Sequence, residues 1–139
     1  MMIRTNEHDP FKKQYQIFRN SCSVYDREKD QIRELEQRYP AFLTANDETD
    51  FPADTDARRD YEVYRLMKED IKQTDRILDI IYRDGGPSNV VLIRQLYFQG
   101  KAQTTVAEEM GLSRRQLQYR VDNMLRDAFL EVYQNNQTI

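Results

Sequence analysis

Two stretches of the chain repeat apolar residues at alternating steps of three and four, and this spacing constrains the fold more than any other feature. In the first stretch the repeated residues are Phe11, Tyr15, Phe18, Cys22, Tyr25 and Ile32, with polar Lys29 interrupting the series. In the second they are Tyr64, Met67, Ile71, Thr74, Leu78 and Ile81. Residues at this spacing lie on one face of an α-helix. Each stretch therefore predicts one long amphipathic helix.

Local signals predict where the two long helices begin and end. Asp9 can cap the first helix, Pro10 suits its first turn, and Tyr39-Pro40 ends it. The second helix is predicted to begin near Asp56 and to close at "DGGPS" (84–88), where glycine favours a helix end and proline prevents continuation. In that segment Ser88 is the predicted cap of the next helix.

The second stretch is a heptad seam over roughly three repeats. A seam of this kind predicts one of two arrangements. Either the two long helices pack within one chain as a helical hairpin, or two chains associate as a coiled-coil dimer. Spacing alone leaves both alternatives open, so a homodimer through the N-terminal helices is one expectation.

Composition favours an all-α protein with one compact module. Only four glycines and four prolines occur in 139 residues, which is little material for a turn-rich β fold. The net charge of −3 argues against a uniformly basic coat for nucleic acid. However, residues 86–139 carry six Arg or Lys and five Asp or Glu, whereas residues 1–85 carry fifteen and nineteen. An anionic partner is therefore expected at the C-terminal part.

The sequence predicts a cytoplasmic protein without a membrane partner. Its N-terminus lacks the apolar core of a signal peptide, and the longest aliphatic run, "VVLI" (90–93), is too short to cross a bilayer. The single cysteine, Cys22, lies on the apolar stripe of the first helix and is predicted to be a reduced core thiol.

Residues 46–56 contain five acidic residues, one proline and no basic residue. This composition predicts a solvated linker or a disordered loop. After Ser88, two further helices are predicted, one that ends at Gly100 and a short one over 103–110. Their predicted buried residues are Val91, Leu92, Leu96 and Phe98 in the first and Val106, Ala107 and Met110 in the second.

A third C-terminal helix is predicted to begin at Ser113, after a sharp turn at Gly111. Ser113 and Gln116 have the spacing of a capping box. The inward-facing residues of this helix are predicted to be Leu117, Val121 and either Met124 or Leu125. The predicted outward-facing residues are Arg114, Arg115, Gln118 and Tyr119.

Two helices joined by a short glycine turn, the second with an arginine-rich exposed start, meet the physical requirements of a helix-turn-helix. Arginine can donate two hydrogen bonds to guanine and glutamine can pair with adenine, while Arg120 or Lys101 can neutralise phosphates. The alternative from spacing alone is a three-helix bundle whose exposed arginines only keep it soluble.

The segment "LYFQGKAQTTVAEEMGLSRRQLQYRVDNML" (96–125) resembles region four of bacterial sigma factors and, within that group, the phage-associated ArpU and RinA regulators. The resemblance implies sequence-specific binding of double-stranded DNA and control of phage or mobile-element transcription, commonly of late genes. It also implies a recognition helix from Ser113 to about Arg126. The implied contact residues are Ser113, Arg114, Arg115, Gln118 and Tyr119, with Arg120 at a phosphate.

The sequence departs from that family where the first helix of the motif begins. Ala102 stands where a Ser or Thr cap is usual, and Thr104-Thr105 where an acidic pair is common. The other sigma regions are absent, so a promoter-bound activator is expected rather than a full sigma factor. The predicted division of the chain is a long helix at 1–45, an acidic linker at 46–56, a heptad-bearing helix at 57–84 and a helix-turn-helix domain at 87–139.

No constellation for catalysis is present in the sequence, so neither catalytic residues, a metal nor a cofactor is predicted. His8 is the only histidine, and "DGGPS" lacks the lysine and spacing of a phosphate loop. Two rival functions remain. One is a DNA-packaging protein such as a small terminase subunit, which usually carries its DNA-binding motif first. The other is an interaction module that binds RNA polymerase.

Overall fold

The structure is a computed structural model that describes residues 10–134, with the backbone alone at residue 134. Every regular element in this range is helical, which confirms the all-α prediction. The α-helices are α1 (Lys12–Arg38), α2 (Asp56–Gly85), α3 (Pro87–Ile93), α4 (Gln103–Met110) and α5 (Arg114–Phe129). Short 3₁₀ turns lie at Pro40–Leu43 and Glu48–Asp50, and π-helical turns at Arg94–Phe98 and Leu130–Gln134.

The chain packs into two compact units, and both long helices contribute to each. In the described range one unit comprises residues 10–23 and 74–134, and the other comprises residues 24–73. This division by packing cuts through α1 and α2 rather than following the order of segments along the chain. No helix of the described part is both long and apolar enough to cross a membrane.

The predicted helix boundaries agree with the structure except at Pro10 and Ser88. Pro10, predicted in the first turn of the first helix, lies in a turn before α1, which begins at Lys12. α1 ends at Arg38, directly before Tyr39, and α2 covers Asp56–Gly85. The cap of α3 is Gly86, with φ 80°, and makes no side-chain capping bond. Because Pro87 has a fixed φ and no N–H to satisfy, it starts the helix itself and leaves Ser88 inside the first turn. The proposed cap Asp9, like His8, lies outside the described residues.

The heptad seam of α2 is buried within a single chain. Tyr64 and Met67 are buried in the unit of residues 24–73, and Thr74, Leu78 and Ile81 are buried in the other unit. Ile71, between them, is half-buried. Packing inside the chain therefore accounts for the five buried seam residues, and of the seam only the half-buried Ile71 is left accessible.

Phe129 is the centre of the core in the unit of residues 10–23 and 74–134. Its ring centroid lies 5.9 Å from Phe11, 5.2 Å from Tyr15 and 6.1 Å from Phe18, all on or beside the first turns of α1. Cys22, on the same stripe, is buried as a free thiol, as predicted. The aromatic stripe of α1 is therefore a packing surface.

Two residues predicted to be buried in the C-terminal helices are exposed. Val91 is 51% exposed, and the fully buried residue of its helix is Ile93, because Leu92, Ile93 and Leu96 form the inward stripe. Met110 is 36% exposed, since it ends α4 beside the turn at Gly111, where no helix covers it. Val106 and Ala107 are buried as predicted.

An aromatic cluster forms the core of the unit of residues 24–73. The ring of Phe42 lies 4.6 Å from Tyr39, 5.2 Å from Phe51 and Tyr61, and 5.1 Å from Tyr64. Phe51 belongs to the acidic stretch 46–56. This stretch is mostly exposed, as its composition predicts, but Phe51 fastens it to the cluster, so it is locally ordered rather than a free linker.

Carboxyl groups lie between α1 and α2 in the same unit. Tyr64 Oη donates a hydrogen bond to Glu36 Oε2 at 2.8 Å, and burial together with Glu36 raises the pKa of Tyr64 to about 12. Burial also raises the pKa of Glu28 to about 7, helped by a hydrogen bond and repulsion from Asp70 and opposed by Arg27. The Oε1 atom of Glu28 is buried without a hydrogen-bond partner in the described part.

We expect the ionisation of Glu28 to lower stability above neutral pH. The folded pKa of about 7 exceeds the ordinary value of 4.5, so the folded chain holds this proton more tightly and the free energy of unfolding falls as pH rises through this interval. Glu28→Gln should raise the free energy of unfolding by about 1 kcal/mol at pH 8, after allowance for solvent screening, and change it little near pH 5. Urea unfolding at both pH values measures this difference.

The matched control is Glu34→Gln, which removes an exposed carboxylate from the same helix. Its effect should be small at both pH values. An equal effect of Glu28→Gln on the free energy of unfolding at pH 5 and pH 8 would contradict the raised pKa of Glu28.

Candidate nucleic-acid interface

The turn between α4 and α5 is built on a left-handed glycine. Gly111 has φ 70°, a backbone conformation that residues with a Cβ rarely adopt. Its N–H donates to the carbonyl of Glu108 at 3.1 Å, and the Leu112 N–H donates to Ala107 at 2.9 Å. These two bonds are the paired bonds of a Schellman motif, so α4 ends sharply and the chain turns within three residues.

A capping box then starts α5. The Ser113 hydroxyl accepts a hydrogen bond from the Gln116 N–H at 3.1 Å, and the Gln116 side-chain oxygen accepts one from the Ser113 N–H at 2.8 Å. Both predicted halves of the box are therefore present. α4 has no such cap, because Ala102 makes no side-chain capping bond. The entry to α5 is thus better fixed than the entry to α4.

Burial of one stripe of α5 decides which side chains face solvent. Leu117, Val121 and Leu125 are at most 2% exposed. The predicted contact residues Arg115, Gln118 and Tyr119 are exposed, and Tyr119 is 71% exposed. Four side chains at the start of the helix line a surface depression of about 400 Å³: Ser113, Arg115, Gln116 and Tyr119.

Two other predicted contact residues are exposed but held by neutral partners. Arg114 Nε donates to Gln103 Oε1 at 3.2 Å, and Arg120 Nη2 donates to Asn89 Oδ1 at 2.9 Å. The side chain of Asn89 packs directly against the backbone of Gly85, since a Cβ added at Gly85 would come within 1.8 Å of the Asn89 amide nitrogen. Because these partners are amides, both guanidinium groups keep their positive charge uncompensated at these bonds.

Lys101, the remaining predicted contact residue, is paired with an acid. Its Nζ lies 2.9 Å and 3.1 Å from the two carboxylate oxygens of Glu109, in the last turn of α4. It does not line the depression at the start of α5. A phosphate that met Lys101 would therefore have to compete with Glu109.

The structure adds residues that the sequence analysis missed. Tyr119 and Arg120 line a second hollow of about 430 Å³ together with Asn89, Asn123 and the two carboxylates Asp84 and Asp127. Asn123 lies one helical turn after Tyr119, so the periodicity of α5 contained a signal for it. Asn89 had no such signal, because it is 31 positions away from Arg120 and comes beside it only through folding.

Searches against protein-family models, curated proteins and solved structures find no match to this chain. Within residues 10–134 no group of three or more His, Cys, Asp or Glu side chains is placed to hold a metal ion.

We expect the Ser113 cap to fix the start of α5. Ser113→Ala removes the acceptor for the Gln116 N–H and should lower the free energy of unfolding by about 1 kcal/mol. Ser113→Asp keeps an acceptor at this position and should retain most of the stability. Chemical denaturation of the three proteins measures the difference, and equal losses in both variants would show that the cap is unimportant.

Proposed function

We propose that this protein binds double-stranded DNA in a sequence-specific manner, with α4, the turn and α5 acting as a helix-turn-helix and α5 as its recognition helix. The observation that carries the proposal is the exposure of Arg115, Gln118 and Tyr119 on the first two turns of a helix whose opposite stripe is buried. These are the turns that a recognition helix inserts into the major groove.

The charge at the start of α5 supports an anionic ligand. The first turn contains Arg114 and Arg115 and no acidic residue. A helix N-terminus already carries a partial positive charge, so basic residues there cost about 0.3–1 kcal/mol each instead of stabilising the helix. A helix selected only for stability would favour acidic residues at these positions. The same arrangement attracts a phosphate backbone.

The exposed polar side chains of α5 fall into two groups, according to whether another side chain already holds them. Arg115 and Gln118 have no recorded partner in the described part and can reach base edges, Arg115 to guanine and Gln118 to adenine. Arg114 and Arg120, held by Gln103 and Asn89, are suited to fixed phosphate contacts. Because these two arginines are already restrained before binding, each phosphate contact costs less rotamer entropy.

The regulatory role rests on the resemblance of residues 96–125 to sigma region four and to the ArpU and RinA regulators. On that basis the protein is a cytoplasmic regulator of transcription that acts on phage or mobile-element genes, commonly late ones, and contacts RNA polymerase at the promoter. Two copies bound to two half-sites would combine two weak contacts. Since the heptad seam is buried, such a pair needs another surface.

We expect Arg115→Ala/Gln118→Ala to abolish sequence preference. Fluorescence anisotropy with labelled fragments of the source genome, beside a pool of random duplexes, should show that the wild-type protein prefers some fragments. Each lost base contact should cost about 1–3 kcal/mol on those fragments, with much less change on the random pool.

The control for this experiment is Lys12→Ala/Lys13→Ala, which removes two exposed positive charges at the start of α1. It should leave the preference intact. If the wild-type protein binds no duplex at low salt, α5 is a capped surface helix and the DNA-binding proposal fails.

We expect Glu109→Gln to strengthen DNA binding by releasing Lys101. The freed ammonium can neutralise one further phosphate, so the slope of log affinity against log salt should steepen by about 0.9. Glu108→Gln is the matched control, because it removes the same charge from the neighbouring exposed position and leaves the Lys101 pair in place. Identical slopes for the two variants would exclude a phosphate contact at Lys101.

A further inference from the structure

A groove with an apolar floor and a basic rim lies between α1 and α2 in the unit of residues 24–73. Its volume is about 280 Å³. The half-buried side chains of Ile32 and Ile71 form the floor. The rim carries the cations Lys29, Arg33 and Lys68 and one carboxylate, Glu36.

The charges on this rim are only partly compensated, because one of its three cations, Arg33, is paired with Asp30, Nη1 to Oδ1, at 3.0 Å. Glu36 already accepts a hydrogen bond from Tyr64. Lys29 Nζ lies 5.3 Å from the centre of the Tyr25 ring, and Lys68 Nζ lies 5.2 Å from that of Tyr64. Neither lysine forms an ion pair with a carboxylate of residues 10–134. Cation–π contacts leave the ammonium charge in place, so the rim is positive.

This positive rim stands out against the unit around it. Residues 24–73 contain nine Arg or Lys and fourteen Asp or Glu. Three of the nine cations line the groove, whereas the segment 46–56 of the same unit has five of the fourteen acids and no cation. Two of these five acids, Glu48 and Asp56, form ion pairs with Arg65 and Arg59. Asp47, Asp50 and Asp54 form no ion pair within the described residues and give the acidic surface its charge.

The acidic surface also offers an apolar side chain of suitable size. Leu43, three residues before the acidic segment, is 64% exposed, although its neighbour Phe42 is buried. The carboxylates Asp47, Asp50 and Asp54 are exposed, and Phe51 holds the segment in place by packing against Phe42. One exposed leucine beside several fixed carboxylates matches an apolar floor beside two lysines that form no ion pair within the described residues.

We propose that a second copy of this chain binds in the groove, with Leu43 over Ile32 and Ile71 and the acidic segment 46–56 against Lys29 and Lys68. Each copy carries both surfaces, and in the proposed symmetric dimer each groove receives the acidic segment of the other copy. The proposal builds on the proposed function only in that paired DNA binding needs an interface other than the five buried residues of the heptad seam.

Sedimentation velocity of the full chain, without DNA, tests the proposal. The wild-type protein should form dimers that weaken with salt, since opposite charges steer and hold the contact. Lys29→Glu/Lys68→Glu should raise the dimer dissociation constant by about tenfold or more. Asp50→Lys/Asp54→Lys should do the same from the other side of the contact. The control Lys12→Glu/Lys13→Glu makes the same change in net charge outside the groove and should dimerise normally.

Mixing the two weakened variants is the decisive step. In the mixture each groove meets a segment of opposite charge, so association should return to near the wild-type level, which a misfolded variant cannot achieve. A wild-type monomer at all concentrations, or dimers that neither variant weakens, would overturn the proposal. Anisotropy with DNA is measured separately on the same proteins, so loss of dimerisation is distinguished from loss of DNA binding.

Discussion

The burial of one stripe of α5 is the constraint on which the rest of the candidate site depends. Leu117, Val121, Leu125 and Phe129 are at most 2% exposed, and Phe129 is enclosed by aromatic rings at the start of α1. A helix anchored along such a stripe cannot rotate about its axis without exposing several large side chains. The direction of Arg115 is therefore set by packing along the whole of α5, from Leu117 beside it to Phe129 four turns away.

At the start of the same helix, the residues that stabilise the helix and the residues assigned to the proposed function have opposite effects on its stability. The capping box satisfies N–H groups there and favours the helix, whereas Arg114 and Arg115 lie at its positive end and oppose it. A local rule broken without a compensating contact indicates selection for something other than folding. Arg114 has a compensating bond to Gln103, so Arg115 is the clearer case.

How much the sequence predicts depends on how far apart the interacting residues are. The turn at Gly111 and the cap at Ser113 follow from residues three to five positions apart, and both were predicted. Periodicity alone failed for Val91, which is exposed on α3, because one short helix does not determine which of its faces meets the core. The Asn89 and Arg120 pair depends on two helices meeting in space, and no local pattern encodes that.

Both proposed surfaces work through exposed charge, and this links them. Charges at either surface are screened over about 10 Å at 0.1 M salt, so salt weakens DNA binding and self-association together. The slope of log DNA affinity against log salt would then include the counterions released from the phosphates and any change in self-association. Read alone, it would overstate the number of phosphate contacts that α5 makes. The apolar floor of Ile32 and Ile71 contributes a part of the pairing that salt does not screen. The salt dependence of DNA binding and that of self-association therefore separate only when self-association is measured without DNA.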